Sequence, residues 1–133
     1  MAGKRVLLAD DCTLVLNAAA KLVQESFEIV GMVSDGSAAV DAAIALEPDI
    51  VVLDISMPGM NGIEVASKLK KCGNEAKIVF LTVHQDTDIL ETCIAAGALG
   101  YVLKVLMESD LIPAINSALA GRQFISDLSS LRN

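Results

Sequence analysis

The chain has no tryptophan, one tyrosine and three phenylalanines, so aromatics make up only 3% of its 133 residues. A base-stacking surface needs aromatic side chains, and none can be assembled here. Positive charge is also scarce. Ten Lys and Arg face seventeen Asp and Glu, for a formal net charge of −7. Such a chain repels the phosphate backbone and is not expected to bind nucleic acid directly. Three cysteines, an odd number without paired spacing, argue against a disulfide framework or a zinc site. Cys12 lies near a helix start, where a thiol pKa can fall, but packing is its expected role. No apolar run approaches the ~20 residues needed to span a bilayer. The run after Lys4 and Arg5 ends at once in Asp10-Asp11, too short and too acidic for a signal peptide. The expectation is one soluble, cytoplasmic domain with no membrane contact.

What the chain does have is short apolar runs, in a composition that is 53% hydrophobic. The most telling stretch is Pro48 to Gly62. Ile50, Val51, Val52 and Leu53 form an unbroken, mostly β-branched run, the pattern of a strand covered on both faces. It stops at Asp54, and a Pro/Gly loop follows. Open α/β sheets place their chemistry at the carboxyl ends of central strands, so Asp54 is the first functional candidate.

The same rhythm runs through the chain. A first strand over Lys4 to Ala9 ends at Asp10-Asp11. A helix from Thr13 to about Glu25 or Ser26 follows, with Leu14, Ala18 and Leu22 beside Val15, Ala19 and Val23. Phe27 to Val33 is a second strand. Ser37 to Leu46 is a second helix, with Val40, Ala43 and Ile44 on one face and Pro48 ending it. After the strand to Asp54, Met57 to Gly62 is a loop and Ile63 to Lys71 a third helix. Lys77 to Thr82 is the fourth strand and Asp86 to Ala96 the fourth helix, acidic at its start where the helix dipole favours acids. Gly100 to Leu103 is the fifth strand, ending at Lys104. Ser109 is the expected cap of a last helix to Ala120, with Pro113 near its first turn. Gln123 to Asn133 is a tail without assigned structure. Five strands alternating with five helices predict a doubly wound, five-stranded parallel α/β sheet, flavodoxin-like in order 2-1-3-4-5.

That order collects chemistry at one edge. The first strand delivers Asp10 and Asp11, the third Asp54, the fourth Thr82 and the fifth Lys104. Three carboxylates together repel unless a cation compensates. Oxygen-only ligands suit a hard divalent ion, most naturally Mg2+. A carboxylate nucleophile, Mg2+, a fixed ammonium and a hydroxyl donor are the parts of phosphoryl transfer. Taken alone, a Thr or Lys at a strand end is commonplace, and paired acids often only cap a helix. The set in this order is specific.

With these pieces the sequence resembles the receiver domain of bacterial two-component response regulators. The matching segments are Leu7-Leu8-Ala9-Asp10-Asp11, Asp54 to Gly62, Leu81-Thr82 with Val83-His84, and Gly100-Tyr101-Val102-Leu103-Lys104. The fifth of these strands, and Ala120 to Ser126, look most like the NarL/FixJ (LuxR-type) regulators. The resemblance implies that Asp54 is the phosphoacceptor and that a sensor histidine kinase is the donor. It implies that Mg2+ is held by Asp11 directly, Asp10 through water, Asp54, and the backbone carbonyl of Ser56. Lys104 would hold the phosphate. Thr82 and Tyr101 would form the switch pair, with Tyr101 turning inward behind Thr82. Ser56 and His84 would tune dephosphorylation. The domain would catalyse only its own phosphorylation and dephosphorylation, and self-associate through the fourth helix, fifth strand and last helix. Residues 1–125 would be the receiver. Residues 126–133 would be a tail, or the start of a linker to a DNA-binding output domain that regulates transcription.

One departure concerns the residue after Lys104. Many receivers have a cis Pro there; here it is Val105, and a cis bond to Val costs about 2.5–4 kcal/mol, so a trans bond is expected. Three other functions remain open on the residues. A haloacid-dehalogenase-type phosphatase needs an acid two residues after its nucleophile, where this chain has Ser56. An FMN carrier needs a phosphate cradle where this chain has Asp10-Asp11. A pure interaction module, stand-alone or degenerate, needs none of the acids.

Overall fold

Each apolar run becomes a strand, and each period-3.6 segment a crossover helix. The structure, a computed structural model, describes residues 3–129. The strands are β1 (Arg5–Ala9), β2 (Glu28–Val33), β3 (Ile50–Leu53), β4 (Lys77–Thr82), β5 (Gly100–Leu103) and β6 (Phe124–Ile125). The helices are α1 (Thr13–Val23), α2 (Gly36–Leu46), α3 (Gly62–Lys71), α4 (Thr87–Ala95) and α5 (Met107–Leu119). All strand pairs are parallel, in order β2-β1-β3-β4-β5-β6.

Strand alternation sorts the core into two layers. Val6, Leu8, Ile50, Val52, Val79, Leu81 and Val102 face α1 and α5, meeting Ala19, Val23, Leu111 and Ile115. Leu7, Ala9, Val51, Leu53, Phe80 and Leu103 face the opposite way, toward Ala39 and Ala43 of α2, Val65 and Leu69 of α3, and Cys93 of α4. With both faces covered, the central strands are buried along their length, which is why they read as continuous apolar runs.

Several expectations need correction. Among the described residues the sheet has six strands, not five, because Phe124–Ile125 of the expected tail pairs with β5. The helix α1 ends at Val23, short of Glu25. Leu14 is 81% exposed, because the buried stripe of α1 runs through Ala19 and Val23. Ile44 is also exposed, while Val40 and Ala43 are buried. Cys12 is exposed at the α1 N-cap rather than packed. Ser109 does not cap α5. The helix begins earlier, at Met107, led in by a 3-10 turn over Lys104–Leu106, so Pro113 lies inside it. Residues 130–133 of the expected tail lie outside the described residues. The bond from Lys104 to Val105 is trans, as expected.

The register sets the functional edge. Ala9 pairs with Leu53 and Thr82 with Leu103, and because Leu53 pairs with Phe80, β4 and β5 run two residues beyond the common end of β1 and β3, at the same edge. The Asp10 N–H donates to the Val33 carbonyl at 3.1 Å, and the Asp54 N–H to the Ala9 carbonyl at 2.9 Å. Those bonds hold both acids as rigid continuations of their strands.

Candidate functional site

Asp10 and Asp54 are buried although they are acids, and Asp11 beside them is exposed. Carboxylate oxygens of all three lie within 4.8 Å of one another. The loop after Asp54 bends back tightly, with the Gly62 N–H donating to the Ile55 carbonyl at 2.7 Å. A Cβ on Gly62 would overlap the Asp54 carbonyl, so only glycine lets α3 start this close to the acid. Asn61 and Glu64 then cap α3 reciprocally, at 2.9 and 3.1 Å.

Lys104 closes the cluster. Its Nζ lies 2.9 Å from Asp10 Oδ2 and 3.3 Å from Asp54 Oδ1. Asp10 Oδ1 accepts from the Cys12 N–H at 2.8 Å. Its buried Oδ2 has no hydrogen-bond partner of ideal geometry, so the Lys104 ammonium is its charge partner. Burial and the charge of Asp10 push Asp54 up to about 6, against the opposing pull of Lys104 and a backbone hydrogen bond from Ser56. Burial alone would lower the Lys104 pKa. The hydrogen bond to Asp10 and the charges of Asp54 and Asp10 outweigh it and hold Lys104 above its ordinary value. The ammonium is therefore a permanent charge at neutral pH.

One ammonium cannot neutralise three carboxylates. The remaining negative charge, the oxygen-only donor set and the under-satisfied Oδ2 of Asp10 fit a hard divalent cation. The acidic pocket can bind a metal.

The other predicted residues meet one step away, and they converge on His84. The His84 N–H donates to Thr82 Oγ1 at 3.0 Å. The Tyr101 hydroxyl donates to the His84 carbonyl at 2.8 Å. The His84 ring Nε2 lies 3.2 Å from Ser56 Oγ. Thr82 is fully buried, and Tyr101 already stands inward, 2% exposed. Burial, with Cys93 and the Asp86 charge, pushes the Tyr101 hydroxyl up to about 12, against the nearby Thr82 hydroxyl. It is a donor at any physiological pH. The role of the His84 backbone could not be read from sequence, because it depends on how the loop after β4 folds over β5.

Residues 6–116 match the family model described as the response regulator receiver domain. The chain belongs to this family. The receiver is 41% identical over 118 residues to the transcriptional regulatory protein PdtaR of Mycobacterium tuberculosis, covering 88% of this chain and 57% of that protein. It is 34% identical over 124 residues to the nitrate/nitrite response regulator protein NarL of Escherichia coli K12, covering 92% and 57%. A two-component response regulator of the LuxR family from Aurantimonas sp. SI85-9A1 superposes with a TM-score of 0.87 at 31% identity, covering 94% of this chain and 90% of that one. The receiver thus spans 57% of the length of these two curated relatives. Among the described residues, no helix is long and apolar enough to cross a membrane.

Proposed function

We propose that this receiver takes a phosphoryl group onto Asp54 from a sensor histidine kinase and uses it to switch an output surface. The observation that carries this is Lys104, whose ammonium touches both Asp10 and Asp54 in a pocket of three clustered carboxylates. An Asp54 carboxylate oxygen attacks phosphorus in line. The new P–O bond forms as the bond from phosphorus to the donor's histidine nitrogen breaks, and the electron pair leaves with that nitrogen. Asp11, Asp54 and the Ser56 carbonyl, with Asp10 through a water, would hold Mg2+, which would supply further positive charge against the phosphoryl oxygens. Lys104 binds one of those oxygens, released in part from Asp54 as that acid becomes an acyl phosphate. Ser56 and His84, paired at the mouth, set how readily water reaches the phosphorus. The chain acts only on itself and turns over no separate substrate.

Thr82 hydrogen-bonds the phosphoryl group. Moving toward it strains the bond from the His84 N–H, and the His84 carbonyl holds Tyr101. A displacement at Thr82 therefore reaches Tyr101 through one residue, and from there the face of α4, β5 and α5, where a second copy would dock. The receiver would comprise residues 1–125 together with the buried Ser126, and the residues after it would be a tail or the start of a linker to an output region for transcription regulation, the role that the name of PdtaR carries. The receiver itself makes no nucleic-acid contact and works in the cytoplasm.

Incubation with acetyl phosphate and Mg2+, followed by intact mass, tests this. A phosphoryl adduct is expected on the native chain, absent from Asp54→Ala and lost with EDTA. An adduct retained by Asp54→Ala refutes the acceptor assignment. No adduct under any condition favours a receiver that signals by binding alone.

A further inference from the structure

Among the described residues, four polar or charged side chains are buried: Asp10, Asp54, Thr82 and Ser126. The first three belong to the site. The fourth comes from beyond β6, on the far side of β5. A buried hydroxyl is costly unless it is hydrogen-bonded, and Ser126 is bonded in both directions. Its Oγ accepts from the Leu103 N–H at 3.1 Å and donates to Asp110 Oδ2 at 2.6 Å. Its own N–H donates to the Tyr101 carbonyl at 2.8 Å. The other Asp110 oxygen lies 2.9 Å from Ser109 Oγ, which is also 3.1 Å from the Leu106 carbonyl.

These contacts bracket one element, the 3-10 turn Lys104–Leu106. Leu103 precedes the turn and Asp110 follows it in the first turn of α5. Ser126 thus bridges the two ends of the segment that aims Lys104. Within the turn, Val105 is 69% exposed and anchors nothing. A short 3-10 turn has poor internal hydrogen bonding, so its orientation depends on what holds its ends.

We propose that Ser126, acting through Leu103 and Asp110, is a positioning residue for Lys104. The hydroxyl fixes the end of β5 against α5 and so holds the ammonium at hydrogen-bond distance from Asp10 and Asp54. The proposal rests on Lys104 contacting the phosphoryl group, as argued above.

The test compares rates of labelling by acetyl phosphate in the full chain at saturating Mg2+. Ser126→Ala is expected to slow labelling about tenfold, with the half-saturating Mg2+ concentration unchanged, because the three carboxylates lie on other strands. Asp110→Ala, nearer the surface, is expected to slow it likewise and serves if Ser126→Ala folds poorly. Asp110→Asn keeps an acceptor oxygen for Ser126 and should label at close to the native rate. In a Lys104→Ala background, neither Ala variant should slow labelling further. Native-rate labelling by both Ala variants, with Lys104→Ala slow, overturns the proposal. So does an equal loss with or without Lys104, which marks a merely structural role. Native-rate labelling by Lys104→Ala itself defeats the underlying assignment of Lys104.

Discussion

Lys104 sits closer to Asp10 than to Asp54, 2.9 Å against 3.3 Å. Asp54 is therefore the less compensated acid. It is buried beside a second carboxylate and only partly offset by the ammonium, so its carboxyl is pushed up to about 6. A nucleophilic carboxylate must be ionised. Without Mg2+, a carboxyl-carbon NMR titration should show an Asp54 midpoint near 6, well above the ordinary 3.8. Adding Mg2+ should move that midpoint down, because a bound cation favours the charged form. A midpoint near 4 without metal would mean that burial and Asp10 do not act on Asp54 as the geometry requires.

The same shift predicts a stability change of defined sign. A carboxyl whose folded pKa lies above its unfolded value binds more protons in the native state between those two values. Stability therefore falls as pH rises from 3.8 to about 6, and the penalty is fully present above that. The upper figure is about 3 kcal/mol for the charged form. An Asn amide is not a protonated carboxyl and must find its own hydrogen-bond partners in the pocket, so a gain of about 1–2 kcal/mol is expected. Asp54→Asn should thus be more stable than the native chain at pH 8, and the difference should vanish below pH 4. Urea midpoints at the two pH values decide it. A destabilised Asp54→Asn at pH 8 would show that the ion pair with Lys104 outweighs the burial cost.

How much of this was legible follows from what each element depends on. β1, β3, β4 and β5 carry their own signal, since a strand buried on both faces must be apolar throughout, and the acids, Thr82 and Lys104 simply terminate those runs. β6 carries none. Two residues, Phe124 and Ile125, have no periodicity, and their pairing depends on the open edge of β5 and on Ser126. The start of α5 at Met107 departs from the local signal of Ser109 for a related reason. Ser109 has the residue type of a cap, but its hydroxyl is engaged with Asp110 and the Leu106 carbonyl. Local propensity cannot register that. Leu14 shows the opposite failure, an apolar residue in helical phase that lies off the buried stripe.

Tyr101 offers a separate test of the link through His84. Tyr101→Phe removes the donor to the His84 carbonyl while keeping the ring in the core. The stability loss should be about 1 kcal/mol. The informative readout is the His84 amide, whose N–H bonds Thr82 Oγ1. Its hydrogen exchange should quicken in Tyr101→Phe, as should that of Gln85. Unchanged exchange at His84 would mean that Thr82 and Tyr101 are not coupled through that residue.

Gly36 supplies the last prediction. It opens α2, far in sequence from Asp54, yet a Cβ there would overlap the Met60 carbonyl. The obstacle is backbone, so it cannot rotate away. The loop from Ile55 to Asn61 is already fixed at its far end by the Gly62 N–H bond to Ile55 and by the α3 cap. In Gly36→Ala the loop must therefore shift as a unit, carrying the Ser56 carbonyl with it. The stability cost should be about 1–3 kcal/mol, the ordinary range for overpacking a close contact. If the Ser56 carbonyl is a metal ligand, Mg2+ affinity should fall several-fold as well, which a purely structural defect in α2 would not cause. Isothermal titration of Mg2+ into the folded variant separates the two: weakened binding ties the α2 start to the metal pocket, and native affinity with lowered stability confines Gly36 to packing.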